Sequence, residues 1–148
     1  MEDSKVFKFS NSVLIVPFLL VFSIWFVYWI EIKFGYNFTK YGVYPKSISG
    51  LKGILFSPFI HSGTSHLFNN SIPLAVLTAS LFFFYNKIAL RILLFGTLAT
   101  GFLTWIIATD SYHIGASGVV YLLFSFIFFS GIIRKHFRLI ALSLIVIF

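Results

Sequence analysis

The sequence predicts an all-α fold, a polytopic bundle of transmembrane helices with four full spans and a truncated fifth, forming one domain over residues 1–148. Two observations carry this. Of 148 residues, 59% are hydrophobic, 21% aromatic and only 10% charged, with a mean hydropathy of +0.97. A soluble domain carries about a quarter charged residues, and one aqueous core of this length cannot hide so much Phe, Leu and Ile. The second observation is segmentation: long uncharged runs are separated by short polar ones.

Taken in order, Val13 to Ile30 is the first span, and it contains no charge. It is too long for a signal-peptide core, and no small-residue cleavage site precedes Glu31 and Lys33. A long loop follows, then Leu67 to Tyr85 as the second span and Ile88 to Thr109 as the third. Arg91 lies near the start of the third, where its side chain can snorkel to the interface. Ile114 to Ile133 is the fourth span, and each of the four is near the roughly 20 residues that cross hydrocarbon. Leu139 to Phe148 reads as a fifth span cut off by the end of the chain. Periodicity does not separate buried from lipid-facing sides, because the runs are apolar nearly all round.

The formal charge of +7 is not a nucleic-acid footprint, because its distribution fits membrane topology. Lys5, Lys8, Lys87, Arg91, Arg134, Lys135 and Arg138 fall on one side, and Lys33, Lys40, Lys46 and Lys52 in the first loop on the other. The Lys/Arg bias favours a cytoplasmic N-terminus. Asn37-Phe38-Thr39 matches a glycosylation sequon, but nothing else points to a secretory route, and a bacterial inner membrane is expected. With no cysteine, disulfides and thiolate metal sites are excluded.

Polar groups at membrane depth are costly and face the bundle interior. Two sets stand out. "HSGTSHLFNN", residues 61–70, enters the second span, and its His66 and Asn70 share one helix face. "HIGASG", residues 113–118, enters the fourth, where Ser117 and Tyr121 share a face. Spans two and four run in the same direction, so both sets lie at the same end of the bundle.

A serine hydroxyl attacks an amide only if a base takes its proton and preorganised donors receive the oxyanion. The His66 imidazole, the Asn70 amide and a backbone N–H at a helix start are suitable donors. Gly115 and Gly118 allow tight backbone and close approach to Ser117. Each feature also has a plain structural reading. Gly-x-Ser-Gly packs membrane helices, His66 with Asn70 forms an interhelical hydrogen-bond pair, Tyr121 is an interior packing aromatic, and His61 stabilises its loop. No metal site is expected from His61, His66 and His113, since no carboxylate joins them and the spacing does not stack them on one helical face. His136 reads as interfacial, and no cofactor is expected.

The combination His61-x4-His66-x3-Asn70 followed by Gly115-Ala116-Ser117-Gly118 resembles the rhomboid intramembrane serine proteases, from roughly Leu51 onward. The resemblance implies a rhomboid-like bundle acting on transmembrane segments of protein substrates in the lipid bilayer. It makes Ser117 the nucleophile and His66 and Asn70 parts of the oxyanion hole. His61 becomes structural, and Tyr121 packs against the catalytic histidine. The sequence departs from the family in one respect. The family's general base is a histidine on a sixth span, in an Ala-His-x-x-Gly type motif, and no such motif occurs in these 148 residues. Neither His66 nor His113 is assigned that role. The 148-residue chain is therefore expected not to cleave unaided. The alternative is a rhomboid-like protein that binds membrane helices without cutting them, whereas a transporter or channel lacks support, because no charged or broken mid-span position is present.

Overall fold

A computed structural model describes residues 10–147, and Lys5 and Lys8 of the charge tally lie outside them. Among the described residues there are six α-helices: α1 (Ser12–Phe34), α2 (Gly53–Phe56), α3 (Thr64–Phe84), α4 (Asn86–Ile107), α5 (Ser117–Ile133) and α6 (Phe137–Ile147). Three of them, α1, α3 and α4, are long and apolar enough to cross a membrane, while α5 and α6 are apolar but shorter. The helical bundle expected from composition is the fold observed.

The lengths follow from the local sequence. α1 ends where Gly35 takes a left-handed conformation at φ 67°, its N–H reaching back to the carbonyl of Glu31. α3 and α4 form a tight hairpin through Tyr85 alone. Its hydroxyl meets Ser130 Oγ of α5 at 2.6 Å. α1 is fastened to α3 by Trp25 Nε1, which donates to Ser71 Oγ at 2.9 Å, and by Tyr28 Oη with Thr64 Oγ1 at 2.9 Å.

α3 is the centre of the bundle. Leu67, Leu74, Leu77 and Leu81 form its sealed stripe, meeting Ile24 of α1, Ala89 and Leu93 of α4, Leu123 and Ile127 of α5, and Leu139 of α6. The outward sides of α1 and α4 expose Phe18, Phe22, Leu94 and Phe95, as lipid-facing surfaces do.

The loop between α1 and α3 is folded, and it is fixed to the end of α4. The Lys46 N–H donates to the carbonyl of Trp105, and Trp105 Nε1 donates to the carbonyl of Ser47 at 2.8 Å. Within the loop, α2 lies directly on the backbone of Gly42 and Val43. A Cβ on Gly53 would sit 2.1 Å from that backbone, so only glycine fits.

The fourth span begins later than its apolar run. Ile114 opens the run, but the helix starts at Ser117. The cause is Gly115, whose φ of 108° is incompatible with a right-handed helix. Residues 113–116 spend their backbone groups on the first loop instead. His113 and Val43 exchange two backbone hydrogen bonds of 2.8 and 3.0 Å, and the Gly115 N–H donates to the Ser57 carbonyl at 2.8 Å. α5 is left with 17 residues, about 25 Å at 1.5 Å per residue, the short end of what spans hydrocarbon.

Candidate active site

The two polar sets converge at the N-terminal ends of α3 and α5. The Ala116 N–H donates to His61 Nε2 at 3.3 Å, which ties the start of α5 to the loop before α3. His61 is buried, its ring tilted against that of His66 with centroids 5.0 Å apart. Burial, then the neighbouring His66, lowers the His61 pKa to about 4 against a weaker pull from the Phe59 backbone. At neutral pH the ring is therefore uncharged, as an acceptor of the Ala116 N–H must be.

Gly115 is the meeting point. A Cβ placed on it would lie 2.7 Å from His66 Nε2 and 3.8 Å from Ser117 Oγ. The imidazole and the hydroxyl thus approach one point in space, and any side chain on residue 115 would occupy it. The positive φ adds a second reason for glycine there. On its far side, His66 Nδ1 meets Ser62 Oγ at 3.2 Å.

Asn70 lies one turn below His66 on α3 and is buried. Its Nδ2 donates to the His66 carbonyl at 2.9 Å. A carboxamide carries two N–H donors, so this bond uses one and leaves the other. Ser117 is the first residue of α5, and no side chain caps that helix. The first N–H groups of a helix have no partner within it, and the positive end of the helix dipole lies there. The N–H groups opening α5 and the His66 imidazole therefore lie near the Ser117 hydroxyl, with Asn70 one turn further along α3. Gly118 follows, and a Cβ there would come 3.1 Å from the Thr100 methyl, so this glycine admits α4.

Tyr121 requires a correction. Its expected place was inside, packed against the site. The ring is 61% exposed at the edge of the cavity beside Ser117, because none of the described helices covers that flank of α5. His113 lines the same cavity as Ser117, but its Nε2 is engaged elsewhere, 2.9 Å from the Thr109 carbonyl and 3.3 Å from Ser111 Oγ.

The cavity beside Ser117, about 230 Å³, was not anticipated. Thr97, Thr100 and Thr104 of α4 line it, together with Ser57 of the first loop. It has room and polar lining enough for ordered water. The threonines recur at i, i+3 and i+7, which places them on one face of α4. That spacing was readable, but nothing in it says that α5 lies opposite. His66 and Asn70 do not line this cavity.

A model of the Rhomboid domain family matches residues 48–148. The chain is also similar to an uncharacterized protein of Mycobacterium bovis and to uncharacterized proteins of two Mycobacterium tuberculosis strains. Each is 31% identical over 119 residues, covering 72% of this chain and 47% of the relative. The chain thus spans about half the length of the curated relatives it matches. No solved structure gives a significant match.

Proposed function

The chain belongs to the rhomboid family, and from that premise we propose that it is an intramembrane serine endopeptidase cutting transmembrane segments of membrane-protein substrates. The observation that supports this best is the convergence of Ser117 Oγ and the His66 imidazole over Gly115. A packing motif needs glycine there, but it has no use for a hydroxyl beside an imidazole.

In this reading Ser117 Oγ attacks the scissile carbonyl and its proton passes to a base. The oxyanion that forms is received by His66, by Asn70 and by the backbone N–H groups opening α5. Ser62 Oγ donating to His66 Nδ1 leaves the ring proton on Nε2, the nitrogen that faces Gly115 and Ser117. His66 then acts as a donor. His61, through the Ala116 N–H, holds the start of α5 in register.

The test is cleavage of a model transmembrane substrate in proteoliposomes, comparing the 148-residue chain with a form extended through a histidine-bearing further span. The extended form is expected to cleave, with Ser117→Ala lowering its rate by at least about 10³. The 148 residues alone are expected to show only residual cleavage, since none of their histidines is placed as a base. Substrate retained by both forms and cut by neither would favour the non-catalytic helix-binding reading.

We assign the protein to a bacterial cell membrane with a cytoplasmic N-terminus and Ser117 towards the outer face, on the Lys/Arg bias. The chain has no cysteine, so single Ser49→Cys and Arg138→Cys variants give a clean labelling assay. Labelling of Ser49→Cys alone by an impermeant thiol reagent is the expected outcome. Labelling of Arg138→Cys alone would invert the topology.

A further inference from the structure

A second cavity lies where α1 meets the first loop, away from Ser117. Its volume is about 420 Å³, and its walls are Val27 of α1 with Phe38, Tyr41, Phe56, Phe59 and Ile60. That volume is within the range of small-ligand sites, and its lining contains no charged group. An apolar cavity at a membrane-facing surface would ordinarily be filled by any acyl chain.

Its rim makes it selective. The Lys40 ammonium lies 5.4 Å from the centroid of the Tyr41 ring and the Lys52 ammonium 4.8 Å from it. Two cations, from positions twelve residues apart in the chain, are thus gathered on the aromatic residue that forms one wall of the cavity. Both lysines are exposed, so their charges are open to an incoming group. The last turn of α1 carries Lys33 and the first loop Lys40, Lys46 and Lys52, whereas Glu31 at the end of α1 is the nearest carboxylate in sequence. One oxygen of Glu31 is already taken by the Phe38 N–H at 2.7 Å. The Lys/Arg bias that orients membrane proteins gives no reason for four lysines at this end of the bundle.

We propose that this cavity is a binding site for one anionic phospholipid of the leaflet on the Ser117 side. An acyl chain lies in the Val27–Phe56–Phe59 cavity, and the phosphodiester bridges Lys40 and Lys52 above Tyr41. A tyrosine at headgroup depth suits this position, its ring in the apolar layer and its hydroxyl at the wet boundary. The two ammonium groups repel each other, and an anion between them removes that repulsion. The site is independent of the protease reading, because none of its lining residues lines the cavity beside Ser117.

The test uses the full chain reconstituted in phosphatidylcholine vesicles with or without phosphatidylglycerol, extracted in mild detergent and examined by native mass spectrometry. The expected result is one retained phosphatidylglycerol per chain, in preference to phosphatidylcholine. The double variant Lys40→Gln/Lys52→Gln should lose that preference by roughly tenfold or more, the size of effect expected of two basic groups beside an anionic headgroup. Lys40→Arg/Lys52→Arg should keep it, and Val27→Trp, which fills the cavity, should release both lipids while leaving the thermal unfolding midpoint in place. Equal retention of the two lipids by the unmodified chain would overturn the proposal. So would unchanged preference in the glutamine variant, or displacement of the lipid by an acidic peptide at lower concentration than by phosphatidylglycerol, which would make the rim a peptide site.

Discussion

α3 and α4 are consecutive, nearly equal in length at 21 and 22 residues, and both apolar enough to cross a membrane, yet they occupy opposite situations. Half of the most apolar stretch of α3 is buried, against 6% of that of α4. The difference lies in where the polar side chains sit. α3 buries Asn70, Ser71, Thr78 and Ser80, and such groups must be shielded from lipid by protein. α4 keeps its interior hydroxyls modest: Thr97 and Thr104 bond back to the carbonyls of Leu93 and Thr100. Ser71 and Ser80 of α3 also bond back to their own helix, at the Leu67 and Val76 carbonyls, so what sets α3 apart is Asn70, a carboxamide with an N–H to spare, and Thr78, whose buried hydroxyl has no partner among the described residues. Hydropathy identifies a span, and its polar groups decide whether it becomes the axis.

The contrast can be broken most sharply at the site itself. In a cleaving form, Asn70→Ala on α3 should lower kcat by about 10²–10³ with little change in KM, as loss of an oxyanion donor does. Thr97→Val on α4, which removes a hydroxyl already spent on Leu93, should change kcat severalfold at most. A kinetic comparison of the two variants decides it. Equal losses would mean that the cavity lined by α4 carries as much of the chemistry as α3.

A second pair of changes weighs packing. Leu77 of α3 is fully buried, and Leu77→Ala should destabilise the fold by about 2–5 kcal/mol. Phe95 of α4 is 69% exposed, and Phe95→Ala should cost no more than about 0.5 kcal/mol. Unfolding by denaturing detergent in mixed micelles measures both. Similar costs would show that α4 is covered in the folded protein in the membrane.

A third comparison is a pH dependence at the entrance to α3. His61 in the folded chain has a pKa of about 4, below the 6.5 of a free histidine. Between these values the unfolded chain takes a proton that the folded chain refuses. Stability is therefore complete above pH 6.5 and falls as the pH drops towards 4. Protonation would also remove the acceptor of the Ala116 N–H. Thermal unfolding from pH 7 to pH 4.5 should show a larger fall for the unmodified chain than for His61→Gln. Parallel curves would place the acid sensitivity elsewhere.

Much of this was legible beforehand. Ser117, His66 and Asn70 could be placed at one end of the bundle because helix spacing and the alternation of spans are properties of the chain alone. The start of α5 could not, since an apolar run at Ile114 looks like helix until Gly115 takes its positive φ and its N–H finds Ser57. Tyr121 was misplaced for a related reason. Sharing a face with Ser117 says which way a residue points along α5, and nothing about what stands opposite. The threonine face of α4 was visible as spacing, but its meaning depended on Gly118 letting Thr100 come close.

The sequence by itself determined the solvent, the number and order of the apolar helices, and the end of the bundle at which Ser117, His66 and Asn70 lie, because hydropathy and helical period act over neighbouring residues. Only the tertiary structure decided that α3 is the axis, that Ser117 opens α5, that His66 and Ser117 meet over Gly115, and that Tyr121 stands at an open edge. Those outcomes depend on contacts between segments dozens of residues apart, and the groups at each contact become partners only once the helices have packed.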